Sequence, residues 1–172
     1  MRTATLRRTT KETSVEITVG VDGTGRGSID TPIGFLSHML DAVARHAQLD
    51  LEVSAAGDTF IDYHHTVEDV GLVFGEVFAA ALGDKRGIRR FGHAYVPLDR
   101  EMLLIHKDFP FALVEEFFKS FANKCACNIH IDLIRGRNGH HAAEAIFKAF
   151  AIAVREAKQI VGTEVPSTKG VI

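Results

Sequence analysis

The sequence carries the motif His64-His65-Thr66-Val67-Glu68, and 76 residues later it carries a second copy, His140-His141-Ala142-Ala143-Glu144. Each copy opens a run in which apolar residues recur with the period of a helix that buries one face. Two copies of one motif, each followed by the same kind of pattern, indicate an internal repeat. The elements around each copy should therefore also occur twice.

The segments before each motif support the repeat. A stretch of alternating apolar residues, typical of a strand, precedes each copy, and a helical pattern precedes each stretch. The predicted helices before the motifs are 33–46 and 113–124, and the predicted strands are 49–56 and 128–134. Further strands are predicted over 3–10, 14–21 and 27–30, with a turn at 22–25, but only over 92–97 and 101–106 in the second half.

These elements predict an α/β fold, more closely an internally duplicated α+β sandwich in which each half is a mixed β-sheet backed by two helices. The second half is predicted to be shortened, because it has fewer strands. The halves are residues 1–88 and 89–172, joined at the glycine-rich stretch 83–87. A chain of 172 residues that is 46% hydrophobic can bury one core, so we expect one compact domain.

Composition excludes several classes of protein. A net charge of -2 gives no general affinity for nucleic acid or for an acidic membrane surface. The N-terminus lacks the apolar part of a signal peptide, and no apolar run has membrane-spanning length. We therefore expect a cytoplasmic protein. Cys125 and Cys127 lie two residues apart, where a disulfide would be strained, so we expect reduced, buried thiols rather than a thiolate metal site.

The repeated motif predicts metal binding. Positions i and i+4 share one face of a helix, so each glutamate can bind a metal together with the first histidine of its motif. The second histidine points about 100 degrees away, which suits a second metal or a substrate. A single pair at a helix start is more typical of a polar cap, but a duplicated pair favours metal.

The earlier helix of each half adds one more candidate ligand. Alignment of the two helices places His38 opposite Glu116. Imidazole and carboxylate ligands without sulfur favour manganese, iron or zinc. The predicted metal ligands are His38, His64, His65, Glu68, Glu116, His140, His141 and Glu144.

Three other polar segments are candidates for substrate binding. Glu12 lies between two predicted strands, where a carboxylate could reach a site mouth or be a solvated charge. Arg90 belongs to a basic cluster that is either a solvated face or a phosphate clamp. The loop 166–170 offers the Ser167 hydroxyl, the Lys169 ammonium and free backbone N–H groups, which suit phosphate, although such a segment can also be a frayed tail.

Together these segments resemble imidazoleglycerol-phosphate dehydratases, in order and over nearly the whole chain. The matching segments are 8–13, 34–40, 57–69, 90–92, 96–99, 114–118, 136–141 and 166–170. The resemblance implies the sandwich described above, assembled into a hollow 24-subunit homo-oligomer with active sites between subunits. It implies two Mn²⁺ ions held by the eight ligands.

The resemblance also implies the reaction, which is the dehydration of D-erythro-imidazole glycerol phosphate to imidazole acetol phosphate in histidine biosynthesis. It assigns catalytic roles to Glu12, His38, His65, Glu68, His141 and Glu144, and binding of this small phosphate substrate to Glu12, Arg90, Ser167 and Lys169. Chemically, two cations on the imidazole ring spread the charge that develops when a weakly acidic C–H is removed.

The sequence departs from this family in one region. The family has a Ser-Gly-Arg-Pro segment after Pro-Leu-Asp, and its arginine grips phosphate, but the segment is absent here. Loss of one charge-assisted contact costs about 1.5–3 kcal/mol, or roughly one to two decades of affinity. Ser37 also stands where the family usually has aspartate beside His38, which weakens the orientation of that ligand.

Two alternatives to an active lyase stay open. The chain could be a subunit of a metal-assembled cage with impaired or no catalysis, since the missing segment would have bound phosphate. It could also be a two-metal hydrolase, for which the ligand types suffice but the terminal loop gives no special support.

Overall fold

The first half of the chain forms a sheet because its strands alternate apolar and polar side chains. The computed structural model describes residues 1–98 and 109–172. In β2 (Thr13–Gly20), Val15, Ile17 and Val19 are fully buried while Glu16 between them is exposed, as the pleat of a strand requires. The other strands are β1 (Thr3–Thr9), β3 (Gly27–Asp30) and β4 (Asp50–Gly57), so each predicted strand of this half is confirmed within one residue at either end.

The sheet order is β1-β2-β4-β3. β2 pairs antiparallel with β1 and β4, whereas β3 is parallel to β4. The predicted turn 22–25 does lie between β2 and β3, but these strands are not neighbours because β4 lies between them. The turn crosses the start of β4, where the Asp50 carboxylate accepts a hydrogen bond from the Thr24 backbone N–H at 2.9 Å.

Four helices show the predicted duplication. α1 (Gly34–Ala47) and α3 (Ala112–Cys125) each have 14 residues, and α2 (His64–Leu82) and α4 (Gly139–Ala157) each have 19. α1 and α3 also end alike, each followed by a non-glycine residue in the left-handed conformation, Gln48 or Ala126, both at φ 53°. The same local sequence pattern has thus produced the same helix twice.

The helices form two layers on one face of the sheet. α1 and α2 contact the strands directly, while α4 packs on α1 and α3 packs on α2. The buried hydrophobic residues form one continuous cluster that draws on both halves of the chain. Its aromatic part joins three helices, with ring centroids 5.2 Å apart for Phe74 and Phe121 and 5.0 Å apart for Phe118 and Phe150.

The structure corrects the prediction of strands in the second half. Residues 92–97 and 128–134 are not strands, and the predicted strand 101–106 lies outside the described residues. A strand persists only where another strand satisfies its backbone groups. Among the described residues, the second half takes part in only one β-bridge, between Ile88 and Ile160. Apolar side chains of the would-be strand are left at the surface, and Ile134 is 73% exposed.

None of the helices in the two described ranges has the length and apolar character needed to cross a membrane.

Candidate metal and phosphate site

The start of α4 is held by a side-chain cap. The Asn138 carboxamide oxygen accepts hydrogen bonds from the backbone N–H groups of His140 at 2.9 Å and His141 at 3.3 Å. Asparagine is one of the residues preferred at this position, so the sequence did carry the signal, although the prediction assigned Asn138 no role. The cap orients the first turn of α4 and with it both histidines of the motif.

One group of side chains that could hold a metal ion is formed within a single chain. His38 of α1 and His140 and Glu144 of α4 each present a ligand atom, and these three atoms lie within 4.8 Å of one another. The rings of His38 and His140 have centroids 6.0 Å apart, and Phe35 packs edge-on against His140 at 5.1 Å. Packing of α1 on α4 therefore joins a ligand of the first half to two ligands of the second.

Glu144 has a second partner, Lys148, that the sequence analysis did not single out. The Lys148 ammonium lies 2.7 Å from a Glu144 carboxylate oxygen, one helical turn further along α4. This hydrogen bond, helped by the nearby His38 and His140, lowers the pKa of Glu144. Glu144 is thus kept in the ionised form that a cation requires.

The first copy of the motif has nearly the same local geometry as the second. The His64 ring nitrogen lies 3.9 Å from the Glu68 carboxylate, and the matching distance from His140 to Glu144 is 3.7 Å. Adjacent histidine rings are almost perpendicular in both copies, at 83° and 85°. Each copy therefore directs one histidine along the glutamate face of the helix and the other away from it.

His65 is held by carboxylates from outside its own helix. Its Nδ1 atom lies 3.0 Å from the Asp58 carboxylate and 3.9 Å from that of Glu12. The hydrogen bond to Asp58 raises the pKa of His65. With Nδ1–H donated to Asp58, Nε2 carries the free lone pair that a metal or a substrate proton can use. Asp58 was part of the resemblance but received no role in the prediction.

Glu12 is placed by the turn between β1 and β2. The buried Asp69 carboxylate accepts hydrogen bonds from the Thr13 hydroxyl and from the Arg8 guanidinium, the latter at 2.9 Å. These bonds tie both arms of the turn to α2, which also carries His65. The Glu12 carboxylate thereby lies 3.9 Å from the His65 Nδ1 atom, and its position at a site mouth stays a prediction.

Five of the eight predicted ligands are not part of the group of three within the described residues: His64, His65, Glu68, Glu116 and His141. Glu116 lies 3.9 Å from Lys119 on its own helix. The Nδ1 atom of His141 is buried and has no hydrogen-bond partner among residues 1–98 and 109–172. The metal-ligand roles of all eight residues stay predictions.

Arg90 and the terminal loop are neighbours although they are far apart in sequence. The Arg90 guanidinium donates a hydrogen bond to the Pro166 carbonyl at 2.7 Å. Within the loop, the Ser167 hydroxyl accepts from the Lys169 backbone N–H at 3.2 Å, and the Ser167 carbonyl accepts from Gly170. Gly170 lies at φ 73°, a conformation that favours glycine. The Arg90 guanidinium is thus joined to the loop that carries the Ser167 hydroxyl and the Lys169 ammonium, and these are groups that suit a phosphate dianion.

The residues present fit a divalent cation. The three-residue group offers two imidazoles and one ionised carboxylate, the ligand types of manganese, iron and zinc, and its single carboxylate leaves positions for substrate. The unpartnered Nδ1 atom of His141 also favours a bound cation, because a buried polar atom without a partner is energetically costly and a metal ion would satisfy it.

Comparison with known proteins identifies the family of the chain. The family model for imidazoleglycerol-phosphate dehydratase matches residues 31–109 and 104–154. The chain belongs to the imidazoleglycerol-phosphate dehydratase family. Imidazoleglycerol-phosphate dehydratases of Hydrogenovibrio crunogenus and Thioalkalivibrio sulfidiphilus are 46% and 49% identical to it; the first alignment covers 100% of both chains and the second 98% of both. Family membership identifies the chain as a hydro-lyase of histidine biosynthesis, which disfavours the hydrolase alternative.

Solved structures of the imidazoleglycerol-phosphate dehydratase family share the fold. The crystal structure from Pyrococcus furiosus is similar with a TM-score of 0.80 and 32% identity, over 97% of this chain and 100% of that chain. The structure from Staphylococcus aureus has a TM-score of 0.78 and 33% identity, over 94% of this chain and 99% of that one. The predicted α/β fold class is confirmed.

The same comparisons bear on the predicted shortening. The alignment with the Hydrogenovibrio dehydratase spans 195 positions and includes all 172 residues of this chain, so at 23 positions this chain has no residue. The family match is divided into two parts that overlap at residues 104–109. The alignment length agrees with the predicted shortening, and the division of the family match lies near the place where the Ser-Gly-Arg-Pro segment was expected.

Proposed function

We propose that this chain dehydrates D-erythro-imidazole glycerol phosphate to imidazole acetol phosphate, using two divalent cations, with Mn²⁺ as the expected metal. The observation that carries the proposal is the group formed by His38, His140 and Glu144, whose ligand atoms lie within 4.8 Å of one another. The full set of proposed ligands adds five residues on three helices: His141 of α4, His64, His65 and Glu68 of α2, and Glu116 of α3.

Bound cations would supply Lewis acidity that stabilises negative charge on the substrate's imidazole ring. The chain's own residues would move the protons. Glu12 is exposed enough to reach a substrate, since its side chain is 58% exposed, and it lies 3.9 Å from His65. We assign to its carboxylate the removal of the weakly acidic C–H proton. Asp58 keeps the His65 ring in one orientation while this happens.

Arg90, Ser167 and Lys169 would hold the substrate phosphate. The hydrogen bond from Arg90 to Pro166 links the guanidinium to the loop that carries the other two groups. Charge-assisted hydrogen bonds to phosphate are stronger than neutral ones and fix orientation as well as affinity. A phosphate held at one end of a short substrate restricts where the imidazole ring at the other end can lie.

We further propose that the active sites lie between subunits of a homo-oligomer, with 24 subunits as the expected number. The first motif supports this arrangement, because His64 and Glu68 face each other at 3.9 Å yet are not part of a group of three within the described chain. Ligands of a neighbouring subunit would complete the coordination. In such an assembly the cations would also hold subunits together.

The test is metal stoichiometry combined with turnover. Protein loaded with Mn²⁺ and then dialysed should retain two ions per chain and form imidazole acetol phosphate. His140→Ala and His64→Ala should each lower the retained metal and abolish turnover, whereas His130→Ala, at an exposed histidine outside the site, should change neither. Retention of two ions by the double variant His64→Ala/His140→Ala would contradict the proposal.

The second candidate function is a metal-assembled cage subunit with impaired or no catalysis. The 23 alignment positions without a counterpart favour it, since the missing segment is expected to carry a phosphate-binding arginine. Particle size measured by light scattering with and without a chelator distinguishes the two functions. Particles that dissociate in chelator but show no turnover when loaded with Mn²⁺ would support the cage.

A further inference from the structure

Helix α3 ends in a pair of thiols with unlike surroundings. Cys125, its last residue, is buried with 5% exposure, whereas Cys127 is exposed. The exposure of Cys127 corrects the prediction that both thiols are buried. It arises because Ala126 adopts the left-handed conformation at φ 53° and turns the chain away from the helix axis. The Cys127 backbone N–H still bonds the Ala122 carbonyl at 3.1 Å, so the turn is held in place.

The two side chains share one tight turn. Only Ala126 separates the two cysteines, and its left-handed conformation keeps both thiols at the same end of α3. The neighbouring Cys125 thiol, together with the Lys85 ammonium, lowers the pKa of Cys127. The neighbouring Cys127 thiol and burial raise the pKa of Cys125. The exposed thiol is therefore the one favoured as thiolate, and the buried thiol is protected from direct attack.

We propose that Cys127 and Cys125 form a reversible redox pair, in which a peroxide oxidises Cys127 and Cys125 then closes an intrachain disulfide. An accessible thiol beside a cation, with a second thiol within reach, has the arrangement of a thiol that is oxidised and then resolved. The pair lies at the end of α3, and its reaction requires neither metal nor substrate. The inference is thus independent of the proposed function.

The chemistry balances with a peroxide as the oxidant. The Cys127 thiolate attacks one peroxide oxygen, the O–O bond breaks, and the departing hydroxide takes up a proton to become water. The product is the sulfenic acid of Cys127. Cys125 then loses its proton and attacks the Cys127 sulfur, so that an S–S bond forms, the S–O bond breaks and a second water leaves. The two sulfur atoms together lose two electrons, and the peroxide gains them.

The small ring makes this disulfide easy to reduce. A bridge between residues two apart is forced away from the preferred disulfide geometry, and strain makes such a bond more readily reducible. Strained, exposed disulfides are typically labile and regulatory rather than structural. We therefore expect oxidation to be reversed by millimolar thiol.

Intact mass and thiol counting test the pair in the full-length protein. One equivalent of hydrogen peroxide should lower the mass by about 2 Da, the two hydrogens lost, and should block both cysteines from alkylation after denaturation. Dithiothreitol should restore both. In Cys125→Ser, Cys127 should instead be trapped as a sulfenic acid by dimedone, and in Cys127→Ser the remaining Cys125 should stay reduced.

Lysine variants test the role of the local charge. Lys85→Gln should slow the oxidation about threefold or more, because less thiolate is present at neutral pH. Lys124→Gln is the matched control, since Lys124 adjoins Cys125 in sequence but pairs with Glu76 at 3.3 Å, and it should leave the rate unchanged. Dimedone trapping of the unaltered protein without the 2 Da loss, or disulfides formed only between chains, would overturn the proposal.

Discussion

At the scale of single residues, Asp58 lies outside the predicted ligand set but orients one of its members, His65. Its side chain is 11% exposed, and it contacts His65 from the end of β4, one element away from the helix that carries the histidine. A carboxylate that accepts Nδ1–H fixes both the ring plane and the tautomer of a metal-binding histidine. The effect of Asp58 should therefore be visible in metal affinity rather than in folding.

Asp58→Asn is expected to weaken Mn²⁺ binding by roughly 10–100-fold, because an amide is a weaker acceptor and can present its N–H₂ group to the ring instead. Titration calorimetry measures the dissociation constant, and thermal unfolding without metal shows whether the fold is retained. Asp84→Asn, at an exposed carboxylate paired with Arg86, is the control. Equal Mn²⁺ affinities of Asp58→Asn and the unaltered chain would show that Asp58 has no role in metal binding.

A second residue-scale prediction concerns acid stability. A hydrogen bond from Arg2 lowers the pKa of Asp22 from 3.8 to about 2. The folded pKa is below the unfolded one, so ionised Asp22 stabilises the fold above pH 3.8, and this contribution is lost as pH falls from 3.8 towards about 2. Asp22→Asn should flatten the pH dependence of unfolding in that window. The Asp22 side chain is 41% exposed, so the effect should stay below about 1 kcal/mol.

Urea denaturation at a series of pH values across this window measures the effect directly. The difference in unfolding free energy between Asp22→Asn and the unaltered chain should shrink as the pH falls. A difference that is constant with pH would show that Asp22 has the same proton affinity in the folded and unfolded chains.

At the scale of elements, the close contact between α2 and α3 depends on two glycines of α2. A Cβ added to Gly71 would lie 2.8 Å from the Phe117 carbonyl oxygen, and one added to Gly75 would meet the Phe121 carbonyl oxygen. Backbone cannot yield as a flexible side chain does, so any larger residue separates the helices. Small residues at these positions therefore set how closely the two halves of the repeat pack.

Gly75→Ala is expected to destabilise the chain by about 1–3 kcal/mol, as overpacking does, despite the higher helix propensity of alanine. Equilibrium denaturation gives the value. Gly34→Ala is a suitable control, because no atom lies within 4 Å of its added Cβ and the substitution should cost nothing. Equal stability of Gly75→Ala and Gly34→Ala would mean that α2 and α3 can separate without loss.

Another contact between elements joins the end of α4 to the first half. Lys158 is 8% exposed, and its ammonium donates to the Val21 carbonyl and, at 3.3 Å, to that of Gln48. Lys158→Met retains the apolar stem but leaves these carbonyls without their donor, which should cost about 1–3 kcal/mol. Lys124 has a side chain that is 47% exposed, so Lys124→Met should change the free energy of unfolding by no more than about 0.5 kcal/mol in the same denaturation experiment. A Lys158→Met variant as stable as Lys124→Met would contradict the contact.

At the scale of the whole molecule, the shortened second half is the feature that bears most on activity. Replacement of residues 99–108 by a longer segment that contains the Ser-Gly-Arg-Pro sequence implied by the family resemblance should supply the expected phosphate-binding arginine. The Michaelis constant for imidazole glycerol phosphate should then fall by roughly one to two decades. The same graft with that arginine changed to alanine should leave the constant high. If both grafts behave alike, the arginine is not the missing contact.

The shortened second half also explains why the sequence predicted too many strands. The stretch 128–134 has the alternation of a strand, with Ile131 and Leu133 on one side, but these side chains are 40% and 46% exposed in the structure. An alternation of apolar and polar residues indicates that a segment can form a strand. The strand forms only if another strand offers backbone groups to which it can hydrogen-bond. The first half has four such strands, and its predictions were confirmed there.

The sequence by itself determined the duplicated order of helices and the histidine–glutamate pairs, because both depend on spacings of three or four residues that a helix converts into one face. Only the tertiary structure decided that His38 joins His140, that Asp58 holds His65, and that Arg90 meets the terminal loop. These contacts join residues distant in sequence, and packing of whole elements sets the distances between them. No local pattern records which elements will pack.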